Sequence, residues 1–469
     1  MLIACNGQIE GATVPTPAEG PCAAPPLRDG QGRLHLLRGV NLSGSAKWSA
    51  GHLPDPRDWQ LETLRDDFGF NALRFLVFWE AIEPEPGRYD PAYLAVVRAR
   101  IAAALEAGFL VLVDMHQDVF GRGFGQAGAP RWSCDEALYA SFQEPENWLM
   151  SYLQPEVAQC FDRLYLHPEG RAAFAAAWQR LAEVLTDLQG ELVYDLLNEP
   201  FWGSRSAREF DARIAPRFYR EVIRAIRLVD PWRPIAIEPA PTANVGISTT
   251  LHPPGPKSLL FAPHFYPQSI EFQHRYDGDA RALRRQVRGL CADAARLAMP
   301  LIVGEVGARR TTRRLQGYLQ ALYDSFDQER VSAFFWEATH SGEAGYGIWQ
   351  KDGTVSPQGE AVARPYPSRV VGDTPRWRWH PDSGLFVFHW HERDKTEGHT
   401  IVVLPKLAFP DGFLLELEPS GVTALSGSRL AIRARGGART LKVRRRAPAA
   451  RSPKTNLQEE TRSSTSTQP

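Results

Sequence analysis

Residues 71–116 open with the run NALRFLVFW (71–79) and close with FLVLVDMH (109–116), and the span Tyr93–Ala107 between them is an amphipathic stretch of helix length. Both runs are continuously apolar rather than alternating, the pattern of a strand buried on both faces. Two such runs joined through a helix form a βαβ unit with parallel strands. The same rhythm appears upstream in LLRGVNL (36–42), followed by a helical pattern around Trp59–Phe68. Downstream it continues through LVYDLLNEP (192–200), RPIAIEP (233–239), LLFAPHFY (259–266), PLIVGEVG (300–307) and VSAFFWEA (331–338). Eight runs predict a (β/α)₈ barrel rather than an open doubly wound sheet. Neither GxGxxG nor GxxxxGK[ST] follows the first run, which removes the common cofactor-binding versions of the open sheet.

Working outward, residues 11–33 are rich in Pro, Gly and Ala, so residues 1–33 are expected to form an irregular arm ahead of a barrel over 34–368. The pattern shortens past about Val370. GLFVFHW, HTIVVLP, GFLLELEP, RLAIRARG and RTLKVRRR alternate around turn residues and predict a small antiparallel β-sandwich over 369–447. Residues 448–469 carry Ser, Thr, Pro and charge, cannot bury a core and are expected to be disordered. The 54 basic and 54 acidic side chains cancel, so no nucleic-acid partner is expected. No run approaches bilayer length, and the first residues lack a basic segment followed by an apolar core. This predicts neither signal peptide nor anchor, and a cytoplasmic protein. Cys5, Cys22, Cys134, Cys160 and Cys291 are odd in number and never in CxxC spacing, which predicts no disulfide framework and a reducing interior.

Polar residues interrupt the apolar runs near their C-terminal ends, where a barrel's loops converge. They are Arg74 on the second run, Asp114, His116 and Asp118 on the third, Asn198 and Glu199 on the fourth, His264 and Tyr266 on the sixth, Glu305 on the seventh and Trp336 on the eighth. A lone strand-end glutamate is more often one half of a salt bridge. Glu199 and Glu305 together match what glycoside hydrolysis needs, one carboxyl to protonate the leaving oxygen and one across the anomeric carbon. The D-x-H-x-D spacing of Asp114, His116 and Asp118 has no further His/Cys cluster to complete a metal site, so neither metal nor organic cofactor is expected.

The runs DLLNEPF (195–201), PHFYP (263–267) and LIVGEVG (301–307) resemble glycoside hydrolase family 5, with Arg74, His116 and Trp336 completing the family's set over roughly Leu34–Arg364. LRGVNLSGSAKW (37–48) and DMHQDVFGRGFGQAGAPRW (114–132) are similar to its endoglycoceramidase and glucosylceramidase/steryl-glucosidase branches. The resemblance implies a retaining enzyme with Glu199 as acid/base and Glu305 as nucleophile; Val306 stands where relatives often carry an aromatic.

Beside it, Asn198 can bond a sugar 2-hydroxyl, Arg74 and Tyr266 can hold Glu305 ionised, His264 can keep Glu199 protonated or orient it, and Trp336 offers a stacking face. Lys47, His116 and Asp118 can bond the hydroxyls of the terminal sugar, or Lys47 and Asp118 can form a plain ion pair. An insertion at about 120–165 carries Phe120, Phe124, Trp132, Tyr139, Phe142, Trp148, Leu149, Met150 and Tyr152, and Phe201 and Trp202 follow Glu199. These either wall an apolar acceptor site or pack the insertion.

The expected activity is hydrolysis of the β-glucosidic bond of a glycolipid, glucosylceramide or a steryl glucoside, by double displacement. Release of an intact oligosaccharide from a glycosphingolipid is the alternative, and an inactive carbohydrate- or lipid-binding protein is the alternative of another class. The expected partner is a small-molecule glycolipid, with room for transient contact with a membrane surface.

Overall fold

The computed structural model describes residues 22–255, 258–342, 345–393, 398–433 and 436–447. The first strand, β1 (Leu34–His35), is followed by eight parallel strands: β2 (Arg38–Leu42), β3 (Ala72–Val77), β4 (Leu110–Met115), β5 (Leu192–Asp195), β6 (Ile235–Ile237), β7 (Leu259–Phe261), β8 (Ile302–Val306) and β9 (Ser332–Phe335). They run in the order β7-β6-β5-β4-β3-β2-β9-β8, and single bridges from Phe261 to Leu301 and from Phe265 to Val306 bring the two ends of the sheet together. The eight strands coincide with the eight apolar runs, and every residue in them is buried. The chain folds as a (β/α)₈ barrel with antiparallel sheets at its C-terminal end.

Inside the barrel, Leu37, Leu110, Leu112, Leu260, Ile302 and Phe334 pack with the small Ala72, Ala236 and Ala262. Gly39 is required there, because a Cβ on it would run into the Phe334 ring. Outside, long helices cover most strands. In Pro91–Glu106 the Asp90 carboxylate caps the amides of Ala92 and Tyr93, and Pro91 occupies a position where no amide is needed. The stretch around Trp59–Phe68 gives only a short helical turn at Thr63–Asp67. Much of that connection instead crosses the barrel mouth, where Asp58 accepts from the hydroxyls of Ser43 (3.0 Å) and Ser45 (2.9 Å).

After a short parallel pair, β10 (His340–Ser341) and β11 (Trp349–Gln350), come β12 (Tyr366–Val370), β13 (Asp373–His380), β14 (Leu385–Glu392), β15 (Thr400–Val403), β16 (Phe413–Glu418), β17 (Val422–Ser426), β18 (Arg429–Arg433) and β19 (Gly437–Arg445). They form two sheets, β13-β14-β19-β16 and β1-β12-β15-β18-β17, around a core that includes Trp377, Trp379, Phe386, Phe388, Trp390, Ile432 and Val443. Strands β12, β13 and β17 add to the five apolar runs. The proline in β12, the charges alternating along β13 and the full exposure of β17 conceal them in sequence. Strand β1 pairs antiparallel with β12, Leu34 opposite Val370, so the chain passes through this sheet before entering the barrel.

The cysteine reading is corrected. Cys22 bonds Cys291 and Cys134 bonds Cys160, at sequence separations of 269 and 26. Spacing carries no trace of these pairs because the fold, not the local chain, brings the partners together. The first disulfide fastens the segment before β1 to the helix Ala280–Leu297, and the second ties the chain just ahead of the helix Glu136–Ser141 to the helix Pro155–Leu166, both within the insertion. No helix among the described residues is long and apolar enough to cross a membrane. The segments 1–21 and 448–469, the first part of the predicted arm and the predicted tail, lie outside the described residues.

Candidate active site

Arg74, on β3, is wholly buried and uses its whole guanidinium fork. Nη1 donates to Glu305 Oε1 (2.7 Å) and Asn41 Oδ1 (3.0 Å), Nη2 to Asn198 Oδ1 (2.9 Å) and Glu238 Oε1 (3.0 Å), and Nε to Asp195 Oδ2 (3.0 Å). Asp114 adds an ion pair at 2.9 Å. A planar cation with five donors can align several carboxylates at once, which a lysine cannot. Burial opposes its charge, but Asp114, Asp195, Glu305 and Glu238 outweigh that and keep it firmly protonated. Asp195 lies well above the usual carboxylate range through burial and the neighbouring Glu238.

Above Arg74 stand the two glutamates. Both oxygens of Glu305 are held, Oε1 by Arg74 and Oε2 by the Tyr266 hydroxyl at 3.0 Å. Glu199 is held through Oε1 alone, which accepts from Asn244 Nδ2 (2.7 Å) and His264 Nδ1 (2.8 Å). Its Oε2 is left to the cavity. Glu199 has a positive φ of 42°, a conformation unfavourable for a side chain with a Cβ. The surroundings fix it: the amide of Glu199 donates to Glu238 Oε2 (2.8 Å), and Gln117 Nε2 donates to the carbonyls of Asn198 (2.9 Å) and Glu199 (3.0 Å). A carboxylate oxygen of Glu199, one of Glu305 and a nitrogen of His264 lie within 4.8 Å of one another. The two carboxyls thus face each other across a narrow gap, as two groups acting on one anomeric carbon must. Burial works against the His264 cation, but Glu238 (3.2 Å from Nε2), Glu305 and Glu199 raise it well above the ordinary imidazole range. Its Nδ1–H therefore donates to Glu199.

Four further sequence-predicted residues, Lys47, His116, Asp118 and Trp336, converge beside the pair. Lys47 Nζ is 2.7 Å from Asp118 Oδ2 and 4.4 Å from the centre of the Trp336 ring. His116 Nδ1 is 2.7 Å from Asp114 Oδ2, and its ring stacks on Trp336 at 5.7 Å with 11° between planes. Burial pulls the Lys47 ammonium down and pushes the Asp118 carboxyl up, yet their attraction wins on both sides, leaving the lysine raised and the aspartate far below its ordinary range. The Lys47–Asp118 ion pair thus exists and lines the cavity as well. Asn198 turns its amide to Arg74 and to the Gln117 carbonyl (3.0 Å).

A cavity of about 440 Å³ opens from this cluster. Trp148, Leu149, Met150, Tyr152 and Leu153 of the insertion wall it together with Phe201 and Trp202. The other insertion aromatics do not. Phe124 packs on Tyr139 and Phe142 (both 4.9 Å), Phe120 on Phe161 (5.2 Å) and Trp132 edge-on to Trp79 (5.4 Å). The insertion therefore has both a packing and a lining part.

Residues that sequence reasoning missed are Asn41, Asp195 and Glu238 beneath the pair, and Asn244, Glu271, Arg309 and Tyr346 around the cavity. The rule that found Glu305 also reaches Asp195 and Glu238, since LVYD and IAIE end in carboxylates at the same level of the barrel. No periodic signal marks the loop residues.

Eight parallel strands with two carboxylates facing each other at the C-terminal mouth, one doubly held and one with a free oxygen, define a barrel glycoside hydrolase. The chain belongs to glycoside hydrolase family 5: the model "Cellulase (glycosyl hydrolase family 5)" matches residues 30–342, and "Glycoside hydrolase family 5 C-terminal domain" matches residues 364–448. It is 27% identical to endoglycoceramidase I of Rhodococcus hoagii over 86% of this chain and 83% of that one. A glucosylceramidase of Rhizopus delemar is 28% identical over 38% of this chain and 35% of its own. Among solved structures, endo-glycoceramidase II from Rhodococcus sp. in complex with ganglioside GM3 superimposes with a TM-score of 0.80 at 28% identity, over 90% of this chain and all of that one.

Proposed function

We propose that this glycoside hydrolase is a retaining β-glycosidase that cleaves the bond between a sugar and a lipid aglycone, releasing the whole glycan from a glycosphingolipid. The observation that carries the proposal is the Glu199–Glu305 pair, with a carboxylate oxygen of each within 4.8 Å of the other, at the head of a cavity walled by Trp148, Leu149, Met150, Leu153, Phe201 and Trp202. Glu305, bonded through one oxygen to Arg74 and through the other to Tyr266, attacks the anomeric carbon. Glu199 carries its proton on Oε2, because Oε1 already accepts two bonds, and delivers it to the glycosidic oxygen. Water then enters on the vacated side, Glu199 takes its proton, and the ester to Glu305 is hydrolysed with net retention. The His264 cation orients Glu199 through Oε1. Asn198 meets the 2-hydroxyl, Lys47, His116 and Asp118 bond the outer hydroxyls, and Trp336 stacks on the ring. No step draws on a metal or organic cofactor.

Whole-glycan release is favoured because the endoglycoceramidase of R. hoagii aligns over more than four fifths of both chains, whereas the R. delemar glucosylceramidase aligns over about a third. The related Rhodococcus enzyme is also described as a lactosyl-enzyme intermediate, a covalent adduct of the kind this mechanism requires. Exo action on a monoglucosyl lipid is the second reading, supported by the shorter glucosylceramidase match. The two disulfides support an oxidising compartment rather than the cytoplasm. In this proposal a catalytic barrel begins at β2, and a sandwich built from β1 together with β12–β19 buttresses it; the expected boundaries at 34 and 368 shift because β1 and β12 pair with each other in the sandwich. Incubation with ganglioside GM3, lactosylceramide, glucosylceramide, steryl glucoside and cellooligosaccharides tests it. Intact glycan from the first two is expected. Turnover of glucosylceramide and steryl glucoside alone establishes exo action, and turnover of cellooligosaccharides alone removes the lipid.

A further inference from the structure

At the end of the barrel opposite the two glutamates lies a second cavity, of about 500 Å³, which the mechanism above does not use. Leu110, Leu192 and Ile302, the first residues of β4, β5 and β8, line it, so it opens at the N-terminal ends of the strands. Trp232 also lines it, with its side chain out in solvent at 85% exposure. The turn beneath that indole is locked. Pro231 and Pro234 restrict the backbone on either side. The Asp230 carboxylate accepts from the amides of Trp232 (3.3 Å) and Arg233 (3.2 Å), and Arg227 donates to the carbonyls of Asp230 (3.0 Å) and Arg233 (2.8 Å). A rigid turn thus presents a flat apolar ring to water at the edge of a cavity.

The charged groups of this cavity are matched. Asp29 pairs with Arg33 and Arg369, Glu191 with Arg369, Asp230 with Arg233, and Arg28 stands 3.8 Å from Asp373. No unpaired charge remains to draw in an anion or a cation. One buried polar group on the wall is different. His35 is 4% exposed, and its ring makes no hydrogen bond among the described residues, the Glu191 carboxylate standing 3.7 Å away. Burial and then the Arg369 charge lower its imidazole to about 4, so it is neutral and offers one donor and one acceptor. Gln189 donates its amide nitrogen to the Asp187 carbonyl (3.2 Å), and its oxygen has no partner among the described residues. A pyranose has an apolar face ringed by hydroxyls, and it matches both the exposed indole and the neutral donors and acceptors. A hydrocarbon in the same place leaves His35 buried and unmatched. We propose that this cavity is a second carbohydrate-binding site, remote from the catalytic pair, which takes a short neutral oligosaccharide on Trp232, with His35, Gln189 and Glu191 meeting its hydroxyls. Because it faces away from the mouth, it tethers the enzyme to a glycan other than the one being cleaved. The site is independent of the aglycone of the substrate.

The experiment follows hydrogen–deuterium exchange of the full-length Glu305→Gly protein, in which turnover is blocked, with cellotetraose, lactose or inorganic phosphate added. The sugars should slow exchange over residues 186–193 and 229–235 as well as at the mouth, and phosphate should not. Adding Trp232→Ala should raise the sugar concentration for half-protection of those two segments by about tenfold or more, the scale of one large apolar contact, and leave the mouth unchanged. Adding Gln189→Ala should raise it by roughly threefold to tenfold, the scale of one hydrogen bond. With Glu305 in place, Trp232→Ala should keep kcat/KM on an aryl lactoside within about twofold of wild type. Protection of the mouth alone, protection of the two segments that survives Trp232→Ala, or equal protection by phosphate overturns the second site and leaves the glycosidase reading standing. Failure of that reading shows separately, as a wild-type protein that turns over no glycoside.

Discussion

The two ends of the cavity are built on opposite rules. At the sugar end every charge has a partner: Lys47 meets Asp118, His116 meets Asp114, and Arg74 spans Asp195, Glu238 and Glu305. At the acceptor end the wall is mostly apolar, with Glu271 and Arg309 among its few polar points. Polar groups locked to one another hold their positions before substrate arrives, which suits a sugar whose many hydroxyls must be met at fixed points. An apolar wall with few polar points tolerates variation along a lipid chain and reads only its head. Substitutions at the sugar end should therefore act on all substrates alike, and those at the acceptor end should separate them.

The largest effect falls at the boundary. Glu305→Gly is expected to lower kcat by on the order of 10⁴-fold or more on every substrate, with azide restoring turnover as a glycosyl azide of inverted configuration. Near-native activity in this variant removes the nucleophile assignment and the comparison with it. Next, Asp118→Asn and Lys47→Met should each reduce kcat/KM by roughly 10² to 10³-fold, since each leaves a buried charge without its partner. The loss should be equal for lactosylceramide and an aryl lactoside, and a loss confined to the lipid breaks the division. Trp148→Ala combined with Trp202→Ala should raise KM for lactosylceramide by about tenfold, the scale of one or two large apolar contacts, and change KM for the aryl lactoside far less.

The smallest effect concerns stability. Glu337 lies between the mouth loop and β9, accepts from the Gly44 amide at 2.5 Å, and is raised to about 7 by burial despite the pull of Lys47. From about pH 4.5 to 7 the folded protein keeps a proton there that the unfolded chain releases, so this contribution to stability is lost as pH rises through that window. Glu337→Gln has no such loss. Its melting temperature relative to wild type should climb between pH 5 and pH 8 by the equivalent of about 1–3 kcal/mol, and an unchanged difference shows that Glu337 is ionised throughout.

The sugar end was legible in the sequence and the acceptor end mostly was not, for one physical reason. Strands buried on both faces leave continuous apolar runs, and a charge that ends such a run is conspicuous, so Arg74, Asp118, Glu199 and Glu305 announce themselves. Asn244, Glu271, Arg309 and Tyr346 sit beyond strand ends on loops whose composition carries no period, and only the fold brings them together. Trp148 and Phe124 belong to the same insertion and look alike in sequence. One lines the cavity and the other packs on Tyr139, a difference decided by tertiary contacts. The disulfides follow the same logic, because Cys22 and Cys291 are neighbours only once the barrel has closed.

The pairing of β1 with β12 bears on how the molecule is made. Leu34 and His35 are among the first described residues to leave the ribosome, and their partners, Val370 and Arg369, are translated only after the last barrel strand. The edge of that sheet must stay unpaired throughout synthesis of the barrel, exposing backbone groups that another chain could capture. Contacts this distant along the chain are among the slowest to form. Yields of active enzyme should therefore depend on chaperone supply and on temperature during expression, and a chain cut before β12 would leave β1 with only its bridge to Arg28.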